Sequence, residues 1–355
     1  MLVTPIKHAV HEGSAPYRCF TADPGASIHV TRKGALLAAE DGRGNRLEAE
    51  LAKGVLSART SNHELADGEC RRFLSALLGF VFSTEPEAER LELAGDGWQP
   101  TSTDLTAIGG HVSGGALSVR ADMFWQVARL WTPAPALNYP RHEVFDGRTV
   151  HPLRPPKPEG RVYARFIPWL GGDIALDVAT LEDLADIHRW MNLPRVDEFW
   201  HEAGDLTHHR RYLAGMIADP HVIPLIARFD GRSFGYFEVY WAKEDIVGGF
   251  CGAGDYDRGC HVIIGEDACR GRSWFTAWLP SLLHFMFLDE PRTERIVQEP
   301  DARHSRQLRN LQRSGFWLSA TVDLPGKRAA IVEISRRKFF GARLWHPVDD
   351  DRKEP

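Results

Sequence analysis

Two polar side chains stand at the ends of short apolar runs in the second half of this 355-residue chain: His261 opens HVIIGE, and Asp301 follows Pro300 in RIVQEPD. If the two runs are neighbouring strands, an imidazole able to take a proton and a carboxylate able to orient it, or to hold a substrate amine, flank one cleft. The residues alone leave a second reading open for each: a buried structural histidine, and Asp301 as the N-cap of a helix beginning near Ser305. Between them, Gly271 lies between Arg270 and Arg272 just before a helix that opens at about Ser273. Amides at a helix N-terminus attract phosphate, glycine allows close backbone approach, and the two arginines add charge-assisted donors. A plain strand-to-helix turn with solvated arginines is the alternative.

The elements that must position these groups read as strand, turn, helix, strand, helix over residues 259–316. Residues 274–288 are apolar nearly all round, including Trp274, Trp278, Leu282 and Phe285, as expected of a buried central helix whose tryptophans serve the core. The helix expected over 304–314 sets Arg306, Arg309 and Arg313 against Leu308 and Leu311, either as a solvated basic face or as a neighbour for a phosphorylated cofactor. Upstream, VYARFIP and DIALDVA read as a strand pair. Thr180 with Glu182 and Asp183 opens a helix that Pro194 stops, and Thr207 caps a second helix that ends at Pro220. VIPLIARFDGRSFGYFEVYWA is the clearest hairpin signal, followed by an acidic glycine-rich loop over 243–259; a last hairpin turns at LPGKR.

The first half is quieter. Alternation in SIHVTRKGALLAAED and NRLEAELAKGVLSAR suggests strands joined at DGRGN, residues 67–82 have helical apolar spacing, and ALSVRADMFWQVARLW fits strand or helix. His63 and His111 stand alone. Prolines at 152, 155, 156 and 158 mark an extended connector, so the expected organisation is an α/β domain over 1–146, a linker over 147–160, a second domain over 161–340 and a charged tail over 341–355. The net charge of −5 argues against general nucleic-acid binding, and no apolar stretch has the length of a membrane span. Five scattered cysteines suit a reducing, cytoplasmic compartment, and the spacing of Cys251, Cys260 and Cys269 near His261 matches no common metal-ligand pattern. GxGxxG and GxxxxGK[ST] are both missing, which removes the main support for dinucleotide-binding and P-loop readings.

The segments YWAKED, YDRGCHVIIGE, RSWFTAWLPSLLHFMFLDEPRTERIVQEPDARHSRQLRNLQRSGF and LPGKRAAIVEI resemble the GNAT-fold acyltransferases of siderophore biosynthesis, a family with aerobactin-pathway N6-hydroxylysine and mycobactin-pathway lysine acyltransferase members. The resemblance covers residues 160–340. It implies an α/β (α+β) GNAT fold with a central mixed sheet, preceded by a smaller α/β domain. It also implies catalytic roles for His261 and Asp301. Acetyl-CoA or another acyl-CoA would be the donor, its pyrophosphate at residues 268–273, with contacts at Ile263, Ile264, Arg270, Gly271, Arg272, Ser273, Trp274, His304 and Arg306. Tyr240, Trp241, Glu244 and Asp245 would meet the amino-acid end. This chain departs from the family loop, with Ala268 in place of Gln or Arg and Ser273 as the last residue, and has His304 where many relatives carry Asn. The implied reaction is direct transfer of an acyl group to the hydroxylamino nitrogen of hydroxylysine or hydroxyornithine, with no metal, nucleic-acid or membrane partner and with a pathway synthetase or hydroxylase as the associated enzyme. Acylation of an unhydroxylated amine (lysine or an aminoglycoside) and a non-catalytic acyl-CoA-binding module are the competing readings.

Overall fold

A computed structural model describes residues 16–59, 67–95, 106–113, 116–134 and 139–347. They form two compact units, one from the described residues up to 134 with Tyr163–Asp173 and His346 onward, the other from residues 139–162 with Ile174–Trp345. The described strands form two eight-stranded mixed sheets and one two-stranded pair.

In the first sheet the strands lie in the order Tyr17–Cys19, Ile28–Lys33, Leu36–Asp41, Arg46–Ala52, Val55–Arg59, Arg90–Ala94, Ala116–Arg120 and Gly110–Ser113. Ile28, Val30, Leu37, Ala39, Leu47, Ala49, Leu56, Leu91 and Leu93 are buried at every second position of these strands, giving one apolar face; Ala38, between Leu37 and Ala39, is buried as well. Phe73, Leu77 and Val81 of helix Asp67–Thr84 are buried with them. Each of the two alternating runs read as strands is a hairpin rather than one strand, turning at Gly34 and Gly54, where φ is 61° and 79°. ALSVRADMFW divides into a strand and a short helix, Ala121–Phe124. His111 shares a hydrogen bond with Ser118, and His63 falls outside the described residues.

The second sheet repeats this order: Arg161–Ile167, Gly172–Val178, Val222–Phe229, Arg232–Trp241, Arg258–Ile264, Arg295–Gln298, Lys327–Ser335 and Trp317–Leu324. In both sheets the fifth and sixth strands are parallel and are joined by an 18-residue helix, here Arg272–Asp289. The N-terminal half is therefore a topological copy of the C-terminal one. The copies differ after the second strand. There the first sheet makes a tight turn, and the second inserts Leu184–Met191, Pro194–Trp200 and Leu206–Ala218. Leu184, Ile187, Trp190 and Leu213 of these helices pack on Ile226, Tyr236 and Ile263 of the sheet.

Local chemistry explains these helices. The Thr180 hydroxyl accepts from the Glu182 N–H while the Asp183 carboxylate accepts from the Thr180 N–H, a capping box. Pro194 starts a short helix of its own at N1, where its missing N–H costs nothing, so it does more than end the preceding one. Asp205, not Thr207, caps the third, its carboxylate accepting from the His208 N–H at 2.7 Å. The hairpin expected around Asp230 and Gly231 is present, with positive φ at both (44° and 81°), the conformation a two-residue primed turn requires.

The proline-rich segment lies within the second unit. Glu143–Phe145 and Val150–Pro152 pair, and His151 and Arg154 are buried. Leu344 and Trp345, within the expected charged tail, are also buried, and residues 348–355 fall outside the described ones. No helix among the described residues is long and apolar enough to cross a membrane.

Candidate active site

Arg258–Ile264 and Arg295–Gln298 pair in parallel at Arg258 with Ile296 and at Gly259 with Val297. Two residues further along each chain, on one face by the pleat of a strand, stand His261 and Glu299. The His261 Nε2 is 2.7 Å from Glu299 Oε1. On its other side His261 is the direct cross-strand partner of Glu238, and Nδ1 lies 3.2 Å from Glu238 Oε2. Both carboxylates are buried, whereas the ring is 38% exposed.

The remaining carboxylate oxygens are also occupied. Tyr240 donates its hydroxyl to Glu299 Oε2 at 2.7 Å; Tyr212 and Tyr236 donate theirs to Glu238 Oε1 at 2.5 and 2.9 Å. Lys327 Nζ is 3.5 Å from Glu299 Oε1. Two buried carboxylates require a cation between them. Burial alone would lower the His261 pKa, but the Glu299 charge and the hydrogen bonds to both glutamates outweigh it and hold the ring at about 10. Burial likewise opposes ionisation of Glu299, yet the imidazolium, with Lys327 and Tyr240, holds it at about 2. Burial, then the neighbouring carboxylates, pushes Tyr212, Tyr236 and Tyr240 far up, so all three stay protonated donors. At neutral pH His261 is an imidazolium giving one N–H to each glutamate.

Asp301 is bound elsewhere. It forms an isolated bridge with Ala329, and its carboxylate accepts from the Arg303 backbone N–H (2.8 Å) and guanidinium (2.7 Å), an interaction that holds its pKa at about 2. The carboxylate within hydrogen-bond distance of His261 is thus Glu299, two residues before the expected one.

The turn before the long helix has the form an anion needs. Gly271, at φ 97°, is the N-cap, with no side-chain cap and no acidic residue in the first turn. Gly271, Arg272 and Ser273 are exposed, and Arg270 reaches Asp267 at 3.3 Å. Trp274 packs on Phe229 and Phe234. His304 is the N-cap residue of helix Ser305–Arg313, stacked on Phe199 at 4.1 Å, and Arg306 is exposed on that helix. The Ile263 side chain is buried against the inserted helices, and the Ile264 carbonyl accepts from Arg195 at 2.8 Å.

The expected amino-acid contacts separate. Tyr240 is buried and serves Glu299. Asp245 is half-buried, its carboxyl pushed up mainly by burial and next by Glu299, against the Val247 N–H it accepts. Trp241 and Glu244 are engaged by other side chains. The Glu244 side chain is 2% exposed and takes a two-pronged contact from Arg154, at 2.5 and 2.7 Å, with His151 Nδ1 at 3.0 Å. Arg154 and Arg258 each lie 4.1 Å from the Trp241 ring centre. Sequence reasoning missed Glu238, Glu299 and Tyr212. The available signal was a single carboxylate inside the apolar strand FGYFEVYW.

A family model described as Acetyltransferase (GNAT) domain matches residues 179–324. An Escherichia coli protein named N(6)-hydroxylysine O-acetyltransferase is 34% identical over 271 residues, 76% of this chain and 85% of that protein. The N(5)-hydroxyornithine:cis-anhydromevalonyl coenzyme A-N(5)-transacylase of Beauveria bassiana is 42% identical over 54% of this chain and 44% of its own length. The hydroxyornithine transacylase of Ajellomyces capsulatus is 43% identical over 59% and 49%. The chain thus spans less than half the length of these fungal relatives. With its mixed sheet and central helix, it belongs to the GNAT acetyltransferase family.

Proposed function

We propose that the protein is an acyl-CoA-dependent N-acyltransferase that acylates the hydroxylamino nitrogen of an N-hydroxylated diamino acid, hydroxylysine or hydroxyornithine, giving a hydroxamate of the kind used in siderophores. The observation that carries this reading is His261, half-exposed at the fork of two parallel strands and held by buried carboxylates, in a chain that matches 85% of the length of a hydroxylysine acetyltransferase. The relatives' names supply both reactants, a hydroxylated amino acid and a coenzyme A donor. The exposed turn at Gly271, flanked by Arg270 and Arg272, suits the donor's phosphates.

A hydroxylamino nitrogen is uncharged near neutral pH, unlike a lysine ammonium, so its lone pair is ready to attack the thioester carbonyl. Once the ring has lost its Nδ1 proton to water, His261 takes the proton the nitrogen sheds, and Asp301 is left to hold the nucleophile rather than the ring. On this reading an N-hydroxylase supplies the substrate and a synthetase consumes the product, in the cytoplasm. The test offers acetyl-CoA with hydroxylysine, hydroxyornithine, lysine and ornithine, following thiol release and product mass. Product is expected with a hydroxylated amine, and His261→Ala should lower turnover by roughly 10²–10⁴-fold while acetyl-CoA still binds. Equal turnover of lysine, or an unimpaired His261→Ala, would overturn the reading.

A further inference from the structure

We propose that Glu299 is the positioning residue of His261: it fixes the ring through Nε2 and leaves Nδ1 as the nitrogen that works on the substrate. This deepens the acyltransferase reading above and rests on it.

The two carboxylates hold the ring unequally. The Nε2–Glu299 contact is 2.7 Å and the Nδ1–Glu238 contact 3.2 Å. Glu299 is anchored by its backbone on both sides: Gln298 pairs with Val332, and the Pro300 carbonyl accepts from the Ala330 N–H at 2.9 Å. Tyr240 completes the anchor by donating to Oε2. It lies across from Gly259, and a Cβ there would fall 2.1 Å from the Tyr240 ring, so the glycine gives this tyrosine its place. Glu238 keeps two tyrosine donors if its bond to Nδ1 is given up, whereas Glu299 would lose one of its two 2.7 Å contacts and keep a single tyrosine donor. The Nδ1 bond is the exchangeable one.

Lys327, 3.5 Å from Glu299, and Asp245, which feels both Glu299 and His261, are further charged groups beside the pair. In the reaction the resting ring first loses its Nδ1 proton to water. The nitrogen lone pair then forms the N–C bond, and its N–H proton passes to Nδ1. As the carbonyl re-forms, the C–S bond breaks, and the departing thiolate takes that proton and leaves as CoA thiol. Glu299 holds Nε2–H throughout.

The experiment compares the wild type with Glu299→Gln, Glu299→Asp and Asp301→Asn, each checked for folding by circular dichroism. Ring ¹⁵N spectra report the His261 titration with no substrate present. Glu299→Gln should lower that titration by roughly one pH unit or more, and Asp301→Asn should leave it in place. In kinetics, Glu299→Gln should move the acid limb of kcat/KM downward with it and cut kcat at least roughly tenfold with acetyl-CoA KM unchanged; Glu299→Asp should recover part of the loss. A ring titration unmoved by Glu299→Gln, or moved as far by Asp301→Asn, overturns the proposal. A moved titration with no turnover of any hydroxylated amine sinks the substrate reading and leaves the Glu299–His261 pairing standing.

Discussion

His261 and Glu299 each stand two residues beyond the last matched pair, Gly259 with Val297, of two parallel strands. The strand period of two puts both side chains on one face, and the end of the pairing exposes one edge of the ring while the carboxylate stays buried. A one-residue slip in that pairing would send His261 and Glu299 to opposite faces, so the register itself builds the contact.

This contact makes stability depend on pH in two opposite directions. The folded His261 titrates at about 10 against 6.5 for the free side chain, so the folded state retains a proton that the unfolded state loses between those values. Its contribution is complete below 6.5 and disappears as pH rises through 10. Glu299 titrates at about 2 against 4.5, so its contribution is complete above 4.5 and disappears as pH falls through 2. The pair should therefore stabilise most between pH 4.5 and 6.5. Urea midpoints measured across the alkaline range should fall with pH in the wild type and flatten in His261→Gln; equal slopes would refute the assignment.

Trp241→Ala should be among the most costly substitutions in the second unit. The ring is buried, Arg154 and Arg258 lie over it, and Arg258 is fully buried with Asp289 as its ion-pair partner. Truncation leaves a cavity beside two guanidiniums that lose a cation–π partner, at a cost of about 3–5 kcal/mol. Urea unfolding at neutral pH checks this, and a loss below about 1 kcal/mol would show that the stack is incidental.

Gly259→Ala should injure chemistry and stability together. The added methyl would meet the buried Tyr240 ring at 2.1–2.6 Å, forcing the hydroxyl away from Glu299. A stability loss of roughly 1–3 kcal/mol is expected, with kcat reduced. The loss should shrink when Tyr240 is also replaced by Leu, because the clash is then relieved; strictly additive losses would place the damage elsewhere.

The sequence carried the strands and long helices because their signals are local. The DG turn and the apolar length of 274–288 each sit within a few residues. The partners of the site are not local: Glu238 and Glu299 lie 23 and 38 residues from His261, and Arg154 lies 90 from Glu244. Asp301 was the expected carboxylate because it ends the RIVQEPD run and matches the aspartate of the family it resembles; only the register shows that Glu299 is the one beside the ring. Glu244 was expected at the amino-acid end of the substrate because its cation, Arg154, comes from the proline-rich segment, whose composition reads as an open connector. The repeat of one topology in the N-terminal half was hidden for a related reason: strand order is fixed by pairings, and pairing leaves no period in the residues themselves.

Gly271→Ala isolates the turn assigned to the donor. Its backbone, at φ 97° and ψ 178°, occupies a region essentially reserved for glycine, and nothing lies within 4 Å of the position a Cβ would take. The substitution is therefore opposed by backbone strain of roughly 1–3 kcal/mol rather than by a clash. The strain can be relieved only by turning the first amides of helix Arg272–Asp289 away from their present direction. If those amides receive the donor's phosphates, calorimetry should find acetyl-CoA binding weakened by about tenfold, equivalent to ~1.4 kcal/mol, with the affinity for the amine little changed. Wild-type acetyl-CoA affinity in a folded Gly271→Ala protein would move the phosphate site away from this turn.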